Sequence, residues 1–173
     1  MRAKDTDTGC QTVLSAFCGE DPDQHVGVDV LAHFQGLAEA CMSEWTLEEK
    51  MVDIFSGTAL STMYCRRHND GCGFRHCSID ISGFPCVDYS PSGNQLGVNG
   101  PTFPVLLALC SWHRQRGTEV VLLENVPEFP IQVLTCLMGD MYEIYPFYLE
   151  PADAGADYLF RMRVFVLLVW KGD

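Results

Sequence analysis

Basic residues are scarce in this chain of 173 residues: 11 Lys and Arg stand against 23 Asp and Glu, a formal net charge of −12 at pH 7. A free-standing nucleic-acid binder normally presents a cationic face that displaces counterions from phosphates, so this balance argues against such a protein. One local basic groove remains compatible with it, because cations gather at Arg66-Arg67-His68, at Arg114 to Arg116, and at Arg161 with Arg163. Long apolar runs are lacking as well. The nearest to one, Val164 to Trp170, falls far short of the ~20 residues that a membrane-spanning helix needs. Met1-Arg2-Ala3-Lys4-Asp5 leads into polar residues without the apolar core of a secretory signal. Repeats and low-complexity tracts are missing, and nothing marks a domain boundary. The nine cysteines are odd in number and scattered, which suits reduced thiols better than a disulfide framework. The expectation is one domain's worth of soluble, intracellular chain with no membrane partner and enough length to bury a core.

What is present reads as strand and helix in alternation, the pattern of a mainly parallel α/β sheet. Val26 to Leu31 reads as a short strand and Leu31 to Met42 as a helix. Thr46-Leu47-Glu48-Glu49 is a capping box opening a second helix, in which Leu47, Met51, Ile54, Phe55 and Ala59 keep one face apolar. Residues 64 to 77 read as a polar Cys- and His-rich loop, and Cys77 to Ser82 as a buried strand. Asp88 to Gly100 has the Pro, Ser, Asn and Gly content of a mobile loop. Gly100-Pro101 is placed to open the next helix, with Phe103, Leu106, Leu107 and Cys110 inward and Gly117 as its stop. Glu119 to Leu123 follows as a strand, and residues from about Phe129 to Leu137 as a helix. Met141 to Leu149 and Met162 to Trp170 read as an antiparallel pair at one sheet edge.

Two short segments carry chemistry. In Phe84-Pro85-Cys86-Val87-Asp88-Tyr89-Ser90 a thiol follows directly on a strand, at the end that faces the ligand crevice of an open α/β sheet. In Glu124-Asn125-Val126 a carboxylic acid stands at the tip of a second strand. A nucleophile and an acid at neighbouring strand tips can do covalent chemistry on a heteroaromatic ring. Taken singly each has a plainer reading. Cys86 alone is as readily a small buried hydrophobe, and Glu124 a solvated strand-end carboxylate. Arg161 and Arg163 alternate with Met162 and Val164, as on the solvent face of an edge strand.

Pro85-Cys86, then Ser90 and Gly93, then Glu124-Asn125-Val126, then Arg161-Met162-Arg163-Val164-Phe165, in that order, resembles the cytosine carbon-5 DNA methyltransferases. The resemblance covers residues 78 to 170 well and 1 to 35 weakly. It implies a Rossmann-like methyltransferase sheet, mainly parallel with an antiparallel edge pair and truncated at both ends, in one partial catalytic domain spanning 1–173. The implied reaction is S-adenosylmethionine-dependent methylation of carbon 5 of cytosine in DNA, in the nucleus if the source is eukaryotic. Cys86 would add to carbon 6 of the ring, Glu124 would meet ring nitrogen 3, and Arg163 with Arg161 would hold the exocyclic oxygen and a nearby phosphate. The cytosine would leave the duplex to reach them. For the donor, the resemblance implies Asp5 at the ribose hydroxyls, Asp29 at the adenine amine, and Pro85 beside the bound molecule. Both acids also read as surface carboxylates in loops.

Departures from the family pattern are specific. Phe84 stands where a second Pro is usual, Val87 where a Gln is usual, and Leu159 where a Gln precedes the arginines. No convincing Phe-x-Gly-x-Gly donor loop occurs, since Phe17-Cys18-Gly19 lacks the second glycine, and the target-recognition region and final helix are not found before Asp173. A competing expectation is therefore a catalytically inactive remnant or partial gene product. A cysteine hydrolase using Cys86 with a distant His is a weaker third. Cys65, His68, Cys72, His76 and Cys77 could ligate zinc, but their spacing matches no standard finger, so the expectation is free thiols and no metal. Oligomeric state is open.

Overall fold

The computed structural model describes residues 3–4, 26–27, 46–56, 62–65, 68–73, 77–155 and 161–172. Asp5, Asp29 and the expected helix over 31–42 lie outside them. The elements are β1 (Ala3–Lys4), β2 (Val26–Gly27), α1 (Leu47–Ser56), β3 (Thr62–Cys65), β4 (Asp70–Gly73), β5 (Ile79–Gly83), α2 (Phe103–Arg116), β6 (Val120–Asn125), α3 (Ile131–Met138), β7 (Tyr142–Leu149) and β8 (Arg163–Trp170). Among the described residues these strands form two four-stranded sheets, ordered β1-β2-β3-β4 and β5-β6-β8-β7.

The second sheet positions the site. β5 runs parallel to β6, from Ile79 opposite Val120 to Gly83 opposite Glu124. β8 is antiparallel to β6 on one side and to β7 on the other. Three strands therefore share a direction and β8 opposes them, as expected for a mainly parallel sheet with an antiparallel pair at one edge. The order within that pair follows from composition. β8, Arg-Val-Phe-Val-Leu-Leu-Val-Trp, is apolar on both faces and takes the inner place. β7 carries Glu143 and Pro146, and a proline without an amide is tolerated on an outer strand.

Alternation along the strands builds the core. Val121 and Leu123 of β6, with Val164, Val166 and Leu168 of β8, are buried against Leu106, Leu107 and Cys110 of α2 and Leu134, Leu137 and Met138 of α3. α2 is buried around most of its circumference, including Ala108, Leu109 and Trp112 outside the expected inner face. Such a helix is covered on more than one side, and α1 supplies part of that cover. Leu47 and Met51 pack against the core, and Lys50 donates to the Val98 carbonyl at 2.9 Å while its ammonium lies 5.7 Å from the Phe103 ring centre. α1 begins with the expected box: the Thr46 amide donates to Glu49 Oε2 at 2.7 Å and the Glu49 amide to Thr46 Oγ1 at 3.2 Å. Tyr142 ties β7 below α2, its hydroxyl lying 3.2 Å from the His113 carbonyl and 3.0 Å from that of Thr118.

Three expectations need correction. The span 64–77 is not simply a loop, because β3 and β4 pair as a hairpin from Thr62 opposite Gly73 to Cys65 opposite Asp70. The turn is aided by Asn69, whose φ of 52° suits an Asn. β5 is not a buried strand: Ile79 and Ile81 are 61% and 69% exposed, and its described ladder partner is β6 alone. Finally, α2 starts at Phe103 with Pro104 in its first turn, while Gly100 and Pro101 belong to the preceding turn.

Candidate active site

The Pro-Cys loop leaves β5 directly beside the tip of β6. Gly83 is the register partner of Glu124, so the chain reaches Cys86 only three residues beyond the acid's own level. The next residue of β6 fastens the loop. Asn125, 3% exposed, donates through Nδ2 to the Phe84 carbonyl at 3.1 Å and accepts the Val126 amide on Oδ1 at 2.8 Å. Both faces of its amide are thereby used, which is what makes a buried Asn tolerable. Beneath the loop, the Phe84, Tyr89 and Phe129 rings meet edge to face, Phe129 lying 5.0 Å from Phe84 and 4.9 Å from Tyr89 between centres.

Cys86 sits in a tight turn, its carbonyl accepting the amides of Tyr89 at 2.9 Å and Ser90 at 2.8 Å. The thiol is free and half-buried, on the margin of the core. Cys110 makes a useful contrast: it is buried on α2, and burial pushes its thiol up to about 12, which keeps it protonated and inert at neutral pH.

On the far side of Glu124 stands Arg163. Its Nε lies 2.8 Å from Glu124 Oε1, with the two side chains 20% and 41% exposed respectively. Strand geometry explains the meeting. Glu124 opposes Phe165, and Arg163, two residues earlier, projects from the same sheet face. Gly83 shares that face, and a Cβ built there would lie 3.3 Å from Glu124 Oε2, so a side chain would crowd the carboxylate.

The loop after Cys86 is anchored by hydrogen bonds at Val87, Asp88 and Thr102, while Pro91, Ser92 and Asn94 to Leu96 stay exposed. Asp88 is buried and its Oδ2 accepts the Thr102 amide at 2.9 Å and the Thr102 hydroxyl. The Asp88 carbonyl accepts the Gly97 amide at 2.9 Å, and the Val87 carbonyl that of Asn94 at 2.8 Å. Glycine serves close approach here: a Cβ on Gly100 would fall 2.1 Å from the Asp88 carboxyl carbon, and one on Gly93 would fall 1.9 Å from the Val87 oxygen.

Of the residues singled out from sequence, the structure brings together the Cys86 loop, Glu124 and Arg163. Arg161 is exposed and precedes β8. Pro85 is exposed at the β5 tip, and Asp5 and Asp29 lie outside the described residues. His113 offers no support for a hydrolase: it is buried, with Nδ1 3.0 Å from the Thr118 hydroxyl and Nε2 3.8 Å from Asp80. Sequence reasoning missed the fastening roles of Asn125, Asp88 and Thr102. For Asn125 a signal existed, since a polar side chain at the buried phase of an alternating strand must find partners.

No family model and no curated protein sequence matches the chain. Solved structures do match. The Dnmt2 methyltransferase of S. pombe superposes with a TM-score of 0.55 at 12% identity, over 99% of this chain and 42% of that one. EhMeth, a methyltransferase of Entamoeba histolytica, gives 0.52 at 16% identity over 98% and 44%. An E. coli prophage-encoded protein given as a DNA modification methyltransferase gives 0.53 at 18% identity over 98% and 40%. The fold is that of these methyltransferases. The chain spans about two fifths of the length of each.

Proposed function

We propose that the chain is a cytosine carbon-5 methyltransferase domain acting on DNA, with Cys86 as nucleophile and Glu124 and Arg163 as the groups that hold and polarise the pyrimidine. The observation that carries this reading is the meeting, at adjacent strand ends, of the Pro-Cys loop and a carboxylate already braced by a guanidinium. Carbon 5 of cytosine is a weak nucleophile. Addition of the Cys86 sulfur to carbon 6 moves the electron pair of the 5,6 double bond toward carbon 5, which can then take an electrophilic methyl. Loss of the carbon-5 proton and expulsion of the Cys86 thiolate restore the ring and the enzyme. Glu124, hydrogen-bonded to ring nitrogen 3, stabilises the adduct, and Arg163 fixes the carboxylate while offering its remaining donors to the exocyclic oxygen. Arg161, exposed beside β8, is suited to a phosphate. S-adenosylmethionine would supply the methyl group as a sulfonium; Pro85, together with Asp5 and Asp29, is proposed to hold it.

A second reading, a catalytically inactive relative that keeps the fold, is favoured by one observation. Among the described residues β5, which carries the Pro-Cys loop, is an outer strand with Ile79 and Ile81 exposed, a weak platform for a precisely placed nucleophile. Calorimetry with S-adenosylhomocysteine separates the two. Saturable binding supports the enzyme; no heat alongside a cooperative thermal unfolding transition supports the inactive relative.

A further inference from the structure

The β3–β4 hairpin carries a side-chain cluster that methyl transfer does not use. Cys65 ends β3 opposite Asp70, the first residue of β4, and Cys72 lies two residues further along β4. Strand periodicity puts Cys72 on the same face as Asp70 and therefore on the same face as Cys65. His68 stands in the connecting turn. The sulfurs of Cys65 and Cys72 and a ring nitrogen of His68 all lie within 4.8 Å of one another, with His68 Nδ1 3.1 Å from Cys72 Sγ.

These separations bracket those of a tetrahedral metal. Zinc–sulfur bonds of about 2.3 Å and zinc–nitrogen bonds of about 2.0 Å place neighbouring donors roughly 3.5–3.8 Å apart. Two thiolates and an imidazole favour soft or borderline cations and disfavour magnesium and calcium, which take oxygen donors. Access suits uptake as well: Cys65 is buried, Cys72 half-buried and His68 exposed, so two donors can swing at the surface onto an ion held by the third. The hairpin has something to gain, because two four-residue strands are a marginal pair by themselves, and an ion that binds only the closed form stabilises it.

We propose that Cys65, His68 and Cys72 form a structural zinc site that locks this hairpin, with the fourth tetrahedral position taken by water or one further donor. Binding replaces two thiol protons by one divalent cation, so the formal charge of the site is unchanged and two protons are released to solvent.

The test uses the full chain, reduced and carrying no His-tag. Metal analysis is expected to find about one zinc per chain, and cobalt added to the zinc-stripped protein should give the thiolate charge-transfer band and intense visible bands of a tetrahedral site. His68→Ala and Cys72→Ser are chosen because both positions reach the surface, so the fold is expected to survive them; each should weaken cobalt binding by more than about 100-fold. Cys136→Ser, an exposed thiol on α3, should leave binding unchanged. The proposal is overturned if the reduced protein binds neither zinc nor cobalt, or if His68→Ala and Cys72→Ser bind cobalt as tightly as the parent.

Discussion

Glu124 Oε1 and Arg163 Nε lie 2.8 Å apart, joining the tip of β6 to the start of β8 across a shared face of the sheet. Both side chains keep water contact, so the pair contributes on the order of 0–1 kcal/mol to stability. Its value lies in orientation. Glu124→Gln should leave the melting temperature nearly unchanged while lowering methyl transfer by about 10²–10⁴-fold. Arg163→Lys keeps the charge and loses the planar fork, and should weaken DNA-dependent activity with little effect on donor binding. Single-turnover methylation alongside thermal unfolding reads both.

Asn125 supports the site by a different route. Replacing it with Ala leaves the Phe84 carbonyl and the Val126 amide without their side-chain partner in a buried place, a loss of about 1–3 kcal/mol. Urea unfolding measures that loss. Because the Pro-Cys loop is tied to the sheet at Phe84, Asn125→Ala should also change the alkylation rate of Cys86, a change that a purely global loss of stability would spread over every buried thiol.

Gly100 gives a sharper steric prediction. A methyl group there would overlap the Asp88 carboxyl, forcing apart the Asp88–Thr102 link that holds the loop to the start of α2. Gly100→Ala should lower stability by about 1–3 kcal/mol. Gly97→Ala, with open space around its Cβ but a φ of +57°, should cost about 1 kcal/mol through backbone conformation alone. Paired chemical denaturation of the two variants tests the distinction.

Away from the site, Arg114 grips Asp140 through both carboxylate oxygens, at 2.5 and 2.6 Å. Hydrogen bonds from Arg114 hold the Asp140 carboxyl below its ordinary value of 3.8. A carboxyl depressed in the folded state contributes in full above that ordinary value, and the contribution is lost as pH falls through the lower folded value. The parent should therefore exceed Asp140→Asn in stability at pH 7 by up to about 1 kcal/mol, since the Asp140 side of the pair is exposed. The difference should vanish in strong acid, as urea midpoints across the acid range would show.

The sequence exposed the order of strands and helices because alternation and punctuation were strong: the Thr46 box, Gly117 after α2 and the alternating β8 all appear where expected. It placed Glu124 and Arg163 near one ring only through a resemblance and did not foresee their ion pair, because the diagonal from Arg163 depends on a register that local pattern does not encode. The burial of β5 was misread because Ile79 and Ile81 look like core residues until the strand is seen to be outermost among the described ones. Composition also hid the anchoring of loop 88–100 at Asp88. Glycines that permit close approach and glycines that permit motion look alike in composition, and only the Asp88 carboxyl at Gly100 and the Val87 carbonyl at Gly93 tell them apart.

The account rests on the sulfur of Cys86 forming a bond to a cytosine ring. DNA containing 5-fluorocytosine tests this directly when incubated with the chain and S-adenosylmethionine, because the carbon-5 fluorine cannot depart as the proton does and the adduct is held. The account predicts a denaturation-resistant protein–DNA complex whose peptide map places the link at Cys86, abolished by Cys86→Ala. The absence of any such complex from protein that binds S-adenosylhomocysteine and the same DNA, or a complex that persists in Cys86→Ala, would contradict it.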